Sequence, residues 1–321
     1  AVPAAIGGLE VPVAEQLDVL REVARWDGAT GWCAMIGATT AVLSAWLPEP
    51  SARSVYGTDP LVVTGGAYAP SGRAVASGDG YTVTGRWEWG SGSANCSWLL
   101  GGALVVDGSG EPELDGGGRP VARLCMAPAD DVQIVPNWDV LGLRGTGSDD
   151  LRMDGVHVPR DRTVSLVHDR PWAEGPLYRF PPFGLLALGI AAVALGIGRA
   201  AAEAVVELAA SKRPAGSRRT LGDRATVRAE VARCEAELRA ADALLDRSVA
   251  AAWDGAERGR EPDVATRASL RLAATHAAVT VADVTARLHR LAGGTGVRHG
   301  QVVERCFRDA HVVTAHVLVS P

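Results

Sequence analysis

The chain has 321 residues, 47% apolar and 21% charged, the profile of an ordinary soluble globular protein with room for two or three packed subdomains. A net charge of −5 argues against a nucleic-acid groove, since the densest basic stretch, Arg213 to Arg219, is short. Cys33, Cys96, Cys125, Cys234 and Cys306 form no CxxC and no His/Cys ligand spacing, so they read as buried small hydrophobes of a reduced compartment, with no metal site expected.

The chain opens without Met on Ala1-Val-Pro-Ala-Ala-Ile-Gly-Gly8, which reads as mid-domain, with a segment before it expected to be absent or disordered. From Val13 to Tyr56 the pattern is helical. Leu17, Leu20, Val23 and Ala24 form one apolar stripe, and Thr30 to Trp46 forms a second helix stopped by Pro48 and Pro50. Between Asp59 and Pro159 the pattern turns to short β-rich runs: Tyr81–Thr84, Ser97–Val106, Val121–Met126, Val132–Val135 and Met153–Val158. Asp-Gly and Gly-Gly turns separate them, and 107–118 is a Gly-rich hairpin loop. From Phe183 onward everything is helical. The apolar run Phe183 to Gly198 is about sixteen residues, short of the roughly twenty of a membrane span, and reads as a buried helix. Val227, Val231, Cys234, Leu238, Ala241, Leu245 and Val249 step by four and three along a long amphipathic helix. Asp263 caps a third helix running to Leu291, which Gly293 and Gly294 terminate, and Val303, Cys306, Ala310, Val313 and Val317 mark a fourth. Four long helices with short connections imply a four-helix bundle. The expected organisation is α+β: a helical domain at 1–57, a middle β domain at 58–162 and the bundle at 163–321. With no signal peptide visible, the expected location is cytoplasmic.

Two segments carry the chemistry. Gly85-Arg-Trp-Glu-Trp-Gly-Ser-Gly-Ser93 reads as a half-buried strand with Trp87, Trp89 and Ser91 on one face, two π-surfaces and a hydroxyl along one wall. Arg305-Cys-Phe-Arg-Asp-Ala-His-Val-Val-Thr-Ala-His316 reads as a helix whose last turns present His311 and His316. Taken singly, such features have bland explanations: Trp87 and Trp89 as core, Gly293-Gly294 as a helix cap, Gly145 to Ser148 as a turn. Their order and spacing say more. With Ala67-Tyr-Ala-Pro-Ser-Gly72, Asn137-Trp-Asp-Val-Leu-Gly-Leu-Arg-Gly-Thr-Gly-Ser148, Val156-His-Val-Pro159 and Leu291-Ala-Gly-Gly-Thr-Gly296, the chain resembles the acyl-CoA dehydrogenase superfamily over nearly its whole length. The resemblance implies an N-terminal helical domain, a middle β-barrel-like domain and a C-terminal four-helix bundle that drives tetramer formation. It also implies a flavin, approached by Tyr68 and Pro70, by Trp89, Ser91 and Gly92, and by a neighbouring subunit's Gly293–Gly294 loop.

Within the superfamily the chain is closer to the flavin-dependent monooxygenase branch (group D). The commonest dehydrogenase pattern places a Glu base eight residues after the Asp of Arg-Asp-Ala, where this chain has Val317, which accepts no proton. The segment Arg308, Asp309, His311, His316 and the Ser91-Gly92 pair match the oxygenase branch. The resemblance implies reduced FMN or FAD with O₂ as co-substrate, a flavin C4a-hydroperoxide sheltered from water, and a separate NAD(P)H:flavin reductase. Ser91 would hydrogen-bond near flavin N5, Trp89 would pack by the ring, and His316, titrating near neutrality, would deprotonate a phenol or amine. His311 is expected to be structural, and Arg308 and Asp309 to form buried ion pairs. Trp32, Met35, Trp46 and Phe183 would line an apolar pocket for an aromatic or polycyclic substrate beside His316. Two rivals differ in class: an atypical acyl-CoA dehydrogenase with tightly bound FAD and a relocated base, and a flavin-free structural or regulatory subunit. Retention of Trp89, Ser91 and His316 argues against the latter. The assembly expected is a homotetramer or homodimer.

Overall fold

A computed structural model describes residues 1–59 and 61–320 of the chain. Helices, then strands, then helices follow one another along the sequence, as expected for an α+β fold. The chain divides into two compact units. One comprises Ala1–Val11, Ile36–Asp139 and Thr146–Tyr178; the other comprises Pro12–Met35, Val140–Gly145 and the residues from Arg179 onward.

The first unit is built on a seven-stranded sheet of β1 (Thr64–Ser77), β2 (Gly80–Trp87), β3 (Trp98–Val106), β4 (Ala122–Pro128), β5 (Gln133–Val135), β6 (Asp150–Pro159) and β7 (Thr163–Val164). Its spatial order is β5-β6-β2-β1-β3-β4-β7, with β1 and β3 parallel and every other pair antiparallel. Tyr81, Val83 and Trp87 alternate inward along β2 and share a core with Leu99, Ala103 and Leu151. The Trp87 indole is 1% exposed and lies in a notch left by Gly72, Gly85 and Gly101, with its Nε1–H donating to the Gly102 carbonyl at 2.7 Å. A Cβ on Gly101 would stand 2.5 Å from the indole ring, so the absence of a side chain there is what admits it. The segment Ala67–Gly72 belongs to β1. Its glycines weaken the strand signal, but β1 is hydrogen-bonded to β2 and β3, with a register shift against β3 between Ala67 and Gly72.

The second unit is helical: α1 (Val13–Trp26), α5 (Pro182–Ser211), α6 (Ala225–Glu257), α7 (Val264–Ala292) and α8 (Val302–Val313). α2 (Gly28–Ala41) is divided between the units after Met35, α3 (Glu49–Tyr56) lies in the first, and the short α4 is Pro176–Arg179. The expected second helix is thus shorter, giving way to a 3₁₀ turn at Val42–Ala45. α5 is apolar and long enough to cross a membrane by length and composition, but its most apolar window is 94% buried, so it serves as the bundle's core helix. At Gly196 a side chain would strike the Arg21 carbonyl, and its absence lets α1 lie against α5. On α6, Val227, Cys234, Leu238, Ala241, Leu245 and Val249 are buried as the heptad-like spacing predicts. Asp263 caps α7 by accepting the Thr266 N–H at 2.7 Å, and Gly293, at φ 55°, ends it. All five cysteines are unbridged, and burial pushes the Cys125 and Cys306 thiols up to about 12.

Candidate active site

β2 ends at Trp87, so Trp87, Trp89 and Ser91 do not share a face as the period-two reading had them. Trp87 is core. Trp89 has turned into left-handed backbone at φ 66°, and its indole is 67% exposed. A bulky residue held at positive φ carries strain that the surrounding structure must enforce. Here the enforcement comes from the loop before β6: the Gly90 N–H donates to the Asp149 carbonyl at 2.9 Å and the Gly92 N–H to the Thr146 carbonyl at 2.8 Å. Asp149 is held in turn, its carboxylate accepting the Asn137 and Trp138 N–H groups at 2.8 and 2.9 Å. Gly92 sits at φ 71°, where a side chain would be strained.

Within this turn Ser91 is buried. Its Oγ lies 2.7 Å from the Ser148 Oγ, which in turn lies 2.6 Å from the Thr146 Oγ1, a chain of three buried hydroxyls. Ser93 Oγ, two residues on, is buried without a hydrogen-bond partner among the described residues. Ser148 and Thr146 were visible in the sequence only as part of a motif. The clue available there was the pairing of two hydroxyl residues with glycines in Gly145–Ser148, a composition suited to a tight polar turn.

No cluster of His, Cys, Asp or Glu suited to a metal exists among the described residues. The donor set fits a different group. A large exposed π-face on constrained backbone, next to buried hydroxyls supplied by a rigid turn, suits a planar ring with nitrogens and oxygens along its edge, as the isoalloxazine of a flavin has. Tyr68 is half-buried on β1, donates to the Thr39 carbonyl at 3.3 Å, and burial pushes its hydroxyl up, so it stays a protonated donor. Pro70 is exposed on the same strand. Gly293 and Gly294 are exposed in the turn after α7, which Lys212 fastens by donating to the Ala292 carbonyl at 2.5 Å and the Thr295 hydroxyl at 2.8 Å.

In the helical unit, α8 stops at Val313, three residues before His316. The expected stripe therefore ends early, and Val317 is 73% exposed instead of continuing it. Arg308 pairs with Glu304 at 2.6 Å and donates to the Leu141 carbonyl at 2.8 Å, holding the Glu304 carboxyl below its ordinary range. Asp309 binds backbone: it accepts the Leu143 N–H at 2.6 Å and so holds Leu143 at φ 51°. Burial pushes the Asp309 carboxyl up, opposed by that N–H and by Arg308. His311 is structural as expected, its Nδ1–H donating to the Phe307 carbonyl at 2.6 Å.

His316 lies in the turn after α8 and packs edge-on to Trp32, ring centroids 5.8 Å apart at 62°. Arg271 on α7 clamps this turn through the Val317 and Ser320 carbonyls at 2.8 and 3.2 Å. Burial first, then the Arg271 charge, push the imidazole down to about 4, not near neutrality as expected. Its Nδ1 accepts the Leu318 N–H at 3.2 Å, so the neutral ring carries its hydrogen on Nε2. At neutral pH His316 is an uncharged hydrogen-bond donor at Nε2 and a weak base.

The residues expected to line a substrate pocket fall in both units, Trp32, Met35 and Phe183 in the helical one and Trp46 in the other. Trp32 is buried against His316. Met35 is 0% exposed and packed against Gly189, which makes it core. Trp46, in the sheet unit, packs edge-on to Tyr178 at 6.4 Å, and Phe183 is 52% exposed at the start of α5. Of the four, Trp32 is brought into ring contact with a site histidine.

Known proteins resemble this chain over nearly its whole length. Residues 188–321 match the family described as acyl-CoA dehydrogenase, C-terminal domain. The chain is 33% identical over 319 residues to indole-3-acetate monooxygenase of Pseudomonas putida, covering 99% of this chain and 79% of that protein. It is 29% identical to the flavin-dependent monooxygenase, oxygenase subunit HsaA, of Rhodococcus jostii (strain RHA1), covering 98% of this chain and 82% of that one. The structure of XiaF from Streptomyces sp., solved with FADH2 and glycerol, superposes with a TM-score of 0.91 at 25% identity, covering 99% of this chain and 80% of XiaF. The fold is that of the acyl-CoA dehydrogenases, and the chain belongs to their flavin-dependent monooxygenase branch. It is an oxidoreductase, the oxygenase component of a two-component system, which implies a separate flavin reductase.

Proposed function

We propose that the chain hydroxylates a planar aromatic substrate bearing a hydrogen-bonding heteroatom, using reduced FAD in preference to FMN from a separate NAD(P)H:flavin reductase. The same reading makes it a cytoplasmic homotetramer. The observation that carries the substrate class is the Trp32–His316 edge contact, which sets an indole beside an imidazole N–H donor. The name of the Pseudomonas putida relative, an indole-3-acetate monooxygenase, points to the same substrate class, and the FADH2 in XiaF supports the preferred flavin.

Bound reduced flavin supplies the two electrons with which O₂ is split, one oxygen atom entering the substrate and the other leaving as water. The Trp89 indole gives the ring a face to stack on, and its constrained backbone limits the ordering cost of binding. The Ser91 hydroxyl is held by Ser148 to hydrogen-bond the ring edge. His316, neutral at pH 7, donates from Nε2 to an oxygen or nitrogen of the substrate. For Nε2 to take a proton, the ring must either become cationic, which burial and Arg271 oppose, or give up the Leu318 N–H. Orientation of the heteroatom, more than its deprotonation, is therefore the part assigned to His316.

Incubation with reduced FAD, ¹⁸O₂ and indole-3-acetate or a simple phenol tests the reading. A product two mass units heavier than the same product made with ¹⁶O₂ supports it. Failure of any aromatic to gain labelled oxygen, with reduced FAD bound, overturns the substrate class.

A further inference from the structure

We infer that Ser148 is a positioning residue: it orients the Ser91 hydroxyl toward the flavin and does so with Thr146 behind it. The inference rests on the reading above that Ser91 meets the flavin ring.

Three buried hydroxyls stand in line, Ser91 Oγ to Ser148 Oγ at 2.7 Å and Ser148 Oγ to Thr146 Oγ1 at 2.6 Å. Both separations are those of strong O–H···O bonds. A serine hydroxyl has one hydrogen, so Ser148 cannot donate to both neighbours, and at least one of them must donate to it. The Ser148 bond is thus one of the contacts that orient the Ser91 hydroxyl. Bonds in such a line also polarise one another, so Thr146 strengthens what Ser148 offers Ser91.

The backbone serves the same arrangement. The turn carrying Ser91 is fastened to the loop carrying Ser148 by the Gly92 N–H on the Thr146 carbonyl and the Gly90 N–H on the Asp149 carbonyl. Asp150 anchors the start of β6, pairing with Arg86 at 2.7 Å, while its N–H donates to the Asn137 side chain at 3.1 Å. Rigid supports on both sides keep the inter-hydroxyl distances short, which a surface serine pair would not achieve.

A double-mutant cycle on the full chain tests this, reading the dissociation constant of reduced FAD by anaerobic titration of tryptophan fluorescence. Ser91→Ala and Ser148→Ala should each weaken binding by about five- to ten-fold, the loss of one hydrogen bond's contribution. Ser148→Thr, which keeps the hydroxyl, should stay within about two-fold. Because Ser148 acts through Ser91, the double variant should bind no worse than Ser91→Ala alone. Losses that multiply in the double variant, or a Ser148→Ala protein that binds as the wild type does, overturn the inference. A Ser91→Ala protein that binds normally overturns both this inference and the placing of Ser91 at the flavin. A wild-type protein that binds no reduced flavin overturns the functional reading itself. If Ser148→Ala does not fold, Ser148→Cys takes its place in the cycle, being of similar size and a weak hydrogen bonder.

Discussion

His316→Gln gives the sharpest test of the site's electrostatics, because the wild-type ring is held neutral in a place hostile to its charge. Its proton affinity falls from an ordinary 6.5 to about 4, through burial and then the Arg271 guanidinium. The unfolded chain therefore binds more protons than the folded one between those two values, and stability rises with pH across that window. The contribution of the neutral ring is fully present above about pH 6.5 and is lost as pH falls through about 4. At about 1.4 kcal/mol per pH unit the full effect reaches about 3 kcal/mol. The ring keeps some contact with solvent, which screens the Arg271 charge, so about 1–2 kcal/mol is the expected loss. Urea unfolding at pH 7.5 and pH 4.5 reads it directly: the wild type should lose about 1–2 kcal/mol more than His316→Gln between the two. Parallel losses in the two proteins would refute the claim that His316 is buried neutral, and with it the assignment of a hydrogen to Nε2 at neutral pH.

Trp89→Ala should leave the unfolding free energy in urea unchanged to within about 0.5 kcal/mol, since the indole is largely exposed, while weakening reduced-flavin binding about ten-fold in fluorescence titration. Gly101→Ala should destabilise the sheet unit by about 1–3 kcal/mol, because the new Cβ would stand 2.5 Å from the Trp87 ring; a thermal melt coincident with wild type would contradict the notch. Asp309→Ala should cost about 1–3 kcal/mol by removing the carboxylate that accepts the Leu143 N–H, with faster proteolysis in 139–146, and Asp309→Asn, which keeps an acceptor oxygen, should recover most of the loss.

Periodicity and punctuation determined much of this protein without coordinates. The α6 stripe, the Asp263 cap and the five β-rich runs follow from local rules, because each depends on residues near one another in the chain. The order of motifs was enough for the family, and the absence of a carboxylate at Val317 was already informative. Tertiary structure decided the rest. Period two placed Trp89 beside Trp87, yet bonds from Gly90 and Gly92 to residues more than fifty positions away turn the chain out of the strand. The same long-range contacts bring Ser148 to Ser91, a pairing that no local pattern encodes. Met35 is buried against Gly189, a packing that depends on how the helices meet and that composition does not specify. His316 shows the division most plainly. Its identity was legible, but its tautomer and its lowered proton affinity come from Leu318, Arg271 and Trp32, and the last two are distant in sequence. Local sequence sets which groups exist and how each segment folds; desolvation and hydrogen-bond partners, which set what a group can do, depend on neighbours that only the assembled fold supplies.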